Sequence, residues 1–420
     1  MERYSEYKDS GVKWLGEIPS HWEVKRLGSF FFERKEKVSD KDYAPLSVTK
    51  QGIFPQLENV AKTNDGDNRK LVKEGDFVIN SRSDRKGSSG VSGLDGSVSL
   101  INIVLQPRKV LFGPFCNYLL KSYGFIEENY RNGRGIVADL WTTRYDEMKM
   151  IKVAMPSFEE QKNISSYLDA ATSKIDKAIA MQQKMIDLLN ERKQIIIQNA
   201  VTKGLDENVE MKDSGVEWIG MIPKHWRKDK AMRLFGLYGS GTTPRENSNG
   251  GNFPWINSGD LNNSNLTVSS KFVSEKMIKD IPALKVYPQN SIIIAMYGAS
   301  IGKIAISRIK CCTNQACFVL SFPCNKIQLE YAFYSLMACK VKWIEQSQGG
   351  TQPNINADII KQTWLAFPLI EEQGKIVSYI QEKCNDIEKA SDRCQRQITL
   401  LQERKQIIIN EVVTGKVKVS

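Results

Sequence analysis

The chain is 420 residues long, with 41% hydrophobic and 25% charged residues, which fits two or three globular domains and excludes a small stapled scaffold or a wholly disordered chain. It holds no apolar run long enough to span a membrane and no signal-peptide pattern in its opening residues, so a cytoplasmic location is expected. The formal charge of +11 and a pI near 9.1 point to a polyanionic partner. Eight cysteines without a CxxC pair, and only two histidines (His21 and His225), exclude a disulfide framework and a zinc site and predict reduced, buried thiols.

The strongest pattern is a duplication. Residues 8–22 (KDSGVKWLGEIPSHW) and 212–226 (KDSGVEWIGMIPKHW) agree at eleven of fifteen positions. Glu159-Glu160-Gln161 and Ser166-Tyr167 recur as Glu371-Glu372-Gln373 and Ser378-Tyr379, and ERKQIII at 191–197 recurs at 403–409. The order is therefore A-B-A′-B′, with segments 1–155, 156–210, 211–367 and 368–420. Between the shared parts, residues 23–155 and 227–367 show no obvious identity, as expected of two unlike reading heads on one frame. Charge follows the same division, +4 on 1–155 and +8 on 211–367 against −2 and +1 on the other two. Its concentration on the A segments favours a nucleic acid there.

In the first A segment, Asp76–Asn80 and Val98–Leu105 read as short strands. Its polar and basic loops offer Thr49, Lys50, Arg69, Arg82, Arg85, Lys86, Arg131 and Arg134 as contacts to phosphates and base edges. Trp14 and Trp22, repeated as Trp218 and Trp226, are expected to seat each A segment on its helix, because a base-reading residue would differ between the halves. The first B segment predicts one long helix over 159–201, with Pro156 before it, Ser157 as N-cap, Glu160 three residues on and Gly204 as the stop. Its heptad seam is Ile164, Leu168, Ile175, Met185, Leu189 and Ile196. In the second A segment Ser291–Met296 and Lys303–Ser307 read as strands and Leu329–Trp343 as helix. The candidate contacts there are Thr242, Thr243, Arg245, Asn257, Tyr297, Ser300, Lys303, Thr351 and Gln352. The second B segment starts at Pro368, and its seam is Ile376, Ile380, Ile387, Leu401 and Ile408, interrupted by Lys383, Gln397, Arg404 and Glu411.

The fold class is α+β: two globular domains of mixed α/β structure joined by two long helices, each roughly 64 Å at 1.5 Å per residue. These form an antiparallel coiled coil related by a pseudo-twofold repeat. Two separate helical hairpins, each packed on its own domain, remain the other arrangement open to the sequence. Catalysis by the chain finds no support. Gly298-Ala-Ser300-Ile-Gly302 fits GxSxG, but no histidine follows Ser300 and the next residues read as a strand rather than a helix. The same stretch is too short for a phosphate-binding loop, and no dinucleotide fingerprint or amino-methyltransferase motif is present.

The doubled KDSGVxWxGxIPxHW, the P-x-x-x-E-Q start of each long helix, the GSGTTPR, NSGDL and GGTQPN stretches and the A-B-A′-B′ plan together resemble the specificity subunit of type I restriction-modification enzymes. The resemblance implies a non-catalytic subunit with two target-recognition domains, each reading one half of a bipartite, asymmetric site in double-stranded DNA. It implies that the helices set the gap between half-sites and dock two modification (methyltransferase) subunits, which methylate adenine and carry S-adenosylmethionine. ATP-dependent restriction subunits with ATP and Mg would join them, and this chain would bind no cofactor, metal or membrane. The first half departs from the pattern, since RNGRGIVADLW at 131–141 stands in for the GGTQPN-type loop. A specificity subunit of a methylation-only or other restriction system, and a coiled-coil adaptor that never touches DNA, are the alternatives. The charge on the A segments argues against the adaptor.

Overall fold

The computed structural model describes residues 2–56, 66–108, 111–136, 141–244, 251–347 and 354–419. Residues 1–183 with 395–420 form one compact unit, and residues 184–394 form a second. The four segments of the repeat follow the chain, whereas these units cut across both long helices, Phe158–Lys203 and Ile370–Val413. Among the described residues no helix is long and apolar enough to cross a membrane.

The first unit is built on a four-stranded antiparallel sheet in the order Ser89–Val91, Phe77–Asn80, Asn102–Pro107, Phe31–Glu33. Side chains alternate between its faces. Phe77, Ile79, Ile103 and Leu105 enter the larger core with Phe115 and Leu119 of the helix Gly113–Leu120, while Val78 and Val104 enter a smaller core with Leu46, Val72 and Val98. Burial on both faces explains why the strands are apolar runs rather than alternating ones. The stretch Val98–Leu105 is two strands, not one. Gly96–Val98 pairs in a separate three-stranded sheet, and the Asn102 amide donates to the Ser99 carbonyl (3.0 Å) to turn the chain between them.

The second unit repeats the plan without the sequence. Its sheet runs Phe235–Ser240, Cys317–Pro323, Ser291–Ala295, Ile304–Ser307, with Asn265–Leu266 added in parallel. Ile292 and Ile294 face a core with Leu336 and Trp343, and Ile293 and Ala295 face one with Tyr287 and Val319. The helix expected over Leu329–Trp343 breaks into Leu329–Ala338 and Lys340–Glu345, where the Cys339 amide turns back to the Leu336 carbonyl (3.1 Å).

In each unit the repeated motifs form one clamp. Trp22 and Trp226 are fully buried, and their indole Nε1 groups donate to Glu160 and Glu372, both at 3.0 Å. His21 and His225 lie 3.1 and 2.8 Å from the second oxygen of the same carboxylates. The next residue is equally fixed: Gln161 donates to the Pro156 carbonyl and accepts from the Phe112 amide, and Gln373 donates to Pro368 and accepts from the Gln328 amide. The tryptophans at 22 and 226 thus pack each sheet domain onto a helix start, and Ser157 accepts the Glu160 amide as the expected cap (3.3 Å).

The helices pack antiparallel within each unit. In the first, Ile164, Leu168 and Ile175 are buried with Ile408, Ile409 and Val412. Lys405 binds Asp176 at 2.7 Å, while Gly415 lies against Trp22, the partner of Glu160. In the second, Ile197, Ala200 and Val201 are buried with Ile376, Ile380 and Cys384, Lys193 binds Glu388 at 2.7 Å, and Gly204 lies against Trp226. The expected seam drifts off the observed one. Met185 is 49% exposed, Leu189 and Ile196 are half-buried, and Ile197 takes the core position. In the second helix Cys384, Ile398 and Val412 are buried where the heptad count put Lys383, Gln397 and Glu411, while Ile376, Ile380, Ile387 and Ile408 hold their places and Leu401 is half-buried. The stripe advances at close to the 3.6 residues per turn of a straight helix, so a strict 3.5 count slips by about one residue over this length.

Candidate nucleic-acid interface

The loop after the central strand of each sheet has the same backbone in both units. In the first unit it is 81–88, opening with the turn Ser83–Arg85; in the second it is 296–303, with the turn Gly298–Ser300. Five amide-to-carbonyl bonds correspond, at an offset of 215 for every residue except Thr143 of the crossing segment, whose counterpart Ile355 stands 212 positions on. Lys86 to Ser83 matches Ile301 to Gly298 (both 3.1 Å), and Ser88 to Arg85 matches Lys303 to Ser300 (both 2.9 Å). Asn80 to Ser88 matches Ala295 to Lys303, Thr143 to Ser81 matches Ile355 to Met296, and Ser81 to Ile101 matches Met296 to Ala316. Isolated bridges join Arg82 to Thr142 and Tyr297 to Asn354. The one shared residue is glycine, Gly87 (φ 79°) and Gly302 (φ 70°), where the left-handed backbone demands it.

On this frame the first unit gathers Arg82, Lys86, Arg134, Tyr130 and Trp141. Arg82 and Arg85 are exposed, and Lys86 is held by Glu127 (2.7 Å) and lies over the Tyr130 ring at 4.4 Å. The Tyr130 ring lies tilted against Trp141 (centroids 5.9 Å, 38° between planes), whose Nε1 donates to the Tyr130 carbonyl. Arg134 is largely exposed, with Glu147 at 3.3 Å, and Arg131 pairs with Glu128 at 2.7 Å. Two of the expected contacts are framework instead. Arg69 is 5% exposed; its guanidinium donates to the Ser97 hydroxyl (2.8 Å) and carbonyl (3.0 Å), and burial pushes its pKa down. This buried arginine anchors the three-stranded sheet and is not a surface contact. Thr49 closes its own turn by donating to the Gly52 carbonyl (3.0 Å), leaving Lys50 exposed at the tip.

The second unit presents Tyr297 at 44% exposure, with Ser300 and Lys303 half-buried. Thr243 donates to the side-chain oxygen of Gln315, and Ala316 beside it accepts from Met296, so the stretch just past the strand Phe235–Ser240 is tied to the same loop. The Thr242 carbonyl accepts from Trp255 Nε1 (3.1 Å). Asn257 is a capping residue: its side chain and that of Asp260 reciprocally satisfy the ends of the turn Ser258–Asp260. Arg245, Thr351 and Gln352 lie outside the described residues. Sequence reasoning misses Tyr130, Trp141 and Gln315; an aromatic pair in the one loop and a polar amide beside the other are the available signals.

This surface can offer guanidinium, ammonium, phenol and amide groups to a ligand. Ser300 has no histidine beside it, since both histidines of the chain sit beside Glu160 and Glu372. Among the described residues no group of three His, Cys, Asp or Glu side chains could hold a metal. Burial pushes the thiols of Cys116 and Cys312 up to about 12, as expected of inert interior cysteines.

A family model for the type I restriction modification DNA specificity domain matches residues 224–393. The chain is 25% identical over 448 residues to the type I restriction enzyme MjaVIII specificity subunit of Methanocaldococcus jannaschii, covering 98% of this chain and 97% of that one. It is 30% identical over 173 residues to the MjaIX specificity subunit of the same organism, covering 39% and 38%. A solved chain from a study of the type I R-M system superposes with a TM-score of 0.67 at 15% identity, over 95% of this chain and 99% of that one, a likeness of fold.

Proposed function

We propose that the chain is a specificity subunit of a type I restriction-modification system, a reading that the family model over residues 224–393 and the full-length curated relative support, and that it reads a bipartite, asymmetric DNA site, one half with each unit. The observation that carries this reading is the twice-built loop frame with unlike side chains: two copies of one scaffold, chemically different at the surface. Arginine forks and neutral aromatic groups suit base edges, and the basic A segments suit the phosphates around them. The chain acts without catalysis of its own. The two long helices set the spacing of the half-sites and dock two modification subunits, which bring S-adenosylmethionine and methylate adenine. Restriction subunits supply ATP- and Mg-dependent cleavage. Replacing residues 227–367 with the corresponding segment of another specificity subunit should change one half of the methylated sequence and leave the other intact. A target unchanged, or changed in both halves, would refute the division of labour.

A further inference from the structure

Within the shared loop frame most positions are spent on structure. At the first, Ser81 donates its hydroxyl to the Ile101 carbonyl (2.6 Å) and Met296 is 3% exposed. At the third, Gly298 carries no side chain. Further along, Lys86 is tied to Glu127 and Ile301 is 4% exposed, the next position is glycine in both units, and Ser88 is 5% exposed. Among the described residues, the second position is the one where both loops carry a large exposed side chain, Arg82 and Tyr297. Both sit immediately before the turn with extended backbone (φ −87°, ψ 146° and φ −126°, ψ 148°), and both are pinned by a bridge to the crossing segment, at Thr142 and Asn354. Their main chains are fixed while their side chains face outward, the condition for precise readout.

We infer that residues 82 and 297 are equivalent base-reading positions, Arg82 reading a guanine in one half-site and Tyr297 contacting a thymine methyl in the other. The inference rests on the specificity-subunit reading and deepens it. Asp84 lies between Arg82 and Arg85, its Oδ1 3.6 Å from Arg82 Nε and its Oδ2 3.7 Å from Arg85 Nε, so it meets the Arg82 guanidinium from the Nε side and directs the terminal nitrogens toward a ligand such as guanine O6 and N7. Tyr297 carries no charge for a phosphate, and its half-exposed ring supplies an apolar surface. The same scaffold position thereby yields different letters in the two halves.

The test expresses the full chain with its modification subunits in cells otherwise free of adenine methylation and maps methylated sites by single-molecule sequencing. Arg82→Gln should turn one guanine position of one half into adenine or a degenerate base, with roughly 5- to 150-fold loss of discrimination there. Tyr297→Ala should relax one position of the other half alone. Should a variant methylate too little to map, the purified complex is used to select bound duplexes from a randomised pool, and circular dichroism melting checks folding. A sequence preference unchanged in both variants, weakened equally at every site, or altered in both halves by one substitution would overturn the inference while leaving the specificity-subunit reading intact. A wild-type complex that methylates no bipartite sequence would overturn both.

Discussion

Removing the carboxylate of the clamp tests whether the repeated His-Trp and Glu-Gln motifs act as one unit. Glu160 accepts from Tyr4 Oη (2.7 Å) and Trp22 Nε1 (3.0 Å) and lies 3.1 Å from His21 Nε2; Glu372 accepts from Trp226 (3.0 Å) and lies 2.8 Å from His225. The Glu160 side chain is 18% exposed and that of Glu372 is 35% exposed. A hydrogen bond to a charged group is worth about 1.5–3 kcal/mol, and a buried donor left without an acceptor costs about 1–3 kcal/mol. These two figures describe largely the same loss for the indole, so they are not summed. Glu160→Ala, which also strands the Tyr4 hydroxyl, should destabilise the first unit by about 2–4 kcal/mol, and Glu372→Ala the second by about 1.5–3 kcal/mol. Urea unfolding followed by tryptophan fluorescence gives the overall change. Native-state hydrogen exchange at the two helix starts assigns it to a unit, because a chain of two units need not unfold in one step. Trp22→Phe completes a double-mutant cycle, in which the two changes should couple by more than about 1 kcal/mol. A cost below about 0.5 kcal/mol for Glu160→Ala, or full additivity with Trp22→Phe, would refute the clamp.

The helix stripe and the helix ends give two further expectations. Ile398→Ala, at a position 5% exposed, should cost about 2–4 kcal/mol in urea unfolding, and Met185→Ala, at one 49% exposed, less than about 0.5 kcal/mol; the reverse order would restore the heptad seam. Gly204 and Gly415 both end their helices with left-handed backbone (φ 76° and 75°), so Gly204→Ala should cost about 1–2 kcal/mol. Gly415→Ala should cost more, because its Cβ would fall 2.3 Å from Pro19 Cδ, whereas that of residue 204 would meet nothing nearer than Trp226 at 3.3 Å; equal costs in thermal melts would refute the contact.

The duplication was legible because identity survives in the residues that make the clamp and the helix starts. What those residues do was not, since Glu160 stands 138 positions from Trp22 and no local pattern links them. The likeness of the two divergent segments was hidden for another reason. A sheet is specified by which positions are buried rather than by which residues fill them, so SRSDRKGS and MYGASIGK build one loop while sharing a single glycine. Charge counting concentrated basic residues on the A segments but could not tell Arg69, spent on Ser97 inside the sheet, from Arg82, turned to solvent. The seam failed in a graded way, accurate near the first turns of the first helix and displaced by about one residue past Ile175, as an accumulating phase error requires.

The crossed use of the helices bears on how the chain is made. Residues 184–394 contain everything the second unit needs, in one uninterrupted stretch. The first unit does not close until residues 395–420 arrive, because Ile408, Ile409, Val412 and Val413 complete the core around Ile164 and Leu168. At a synthesis rate of about 5–20 residues per second, the ribosome spends roughly 10–40 s on the intervening stretch. Throughout that interval the residues of the second helix that cover Ile164 and Leu168 are not yet made, so the unit begun first is the unit whose core is completed last.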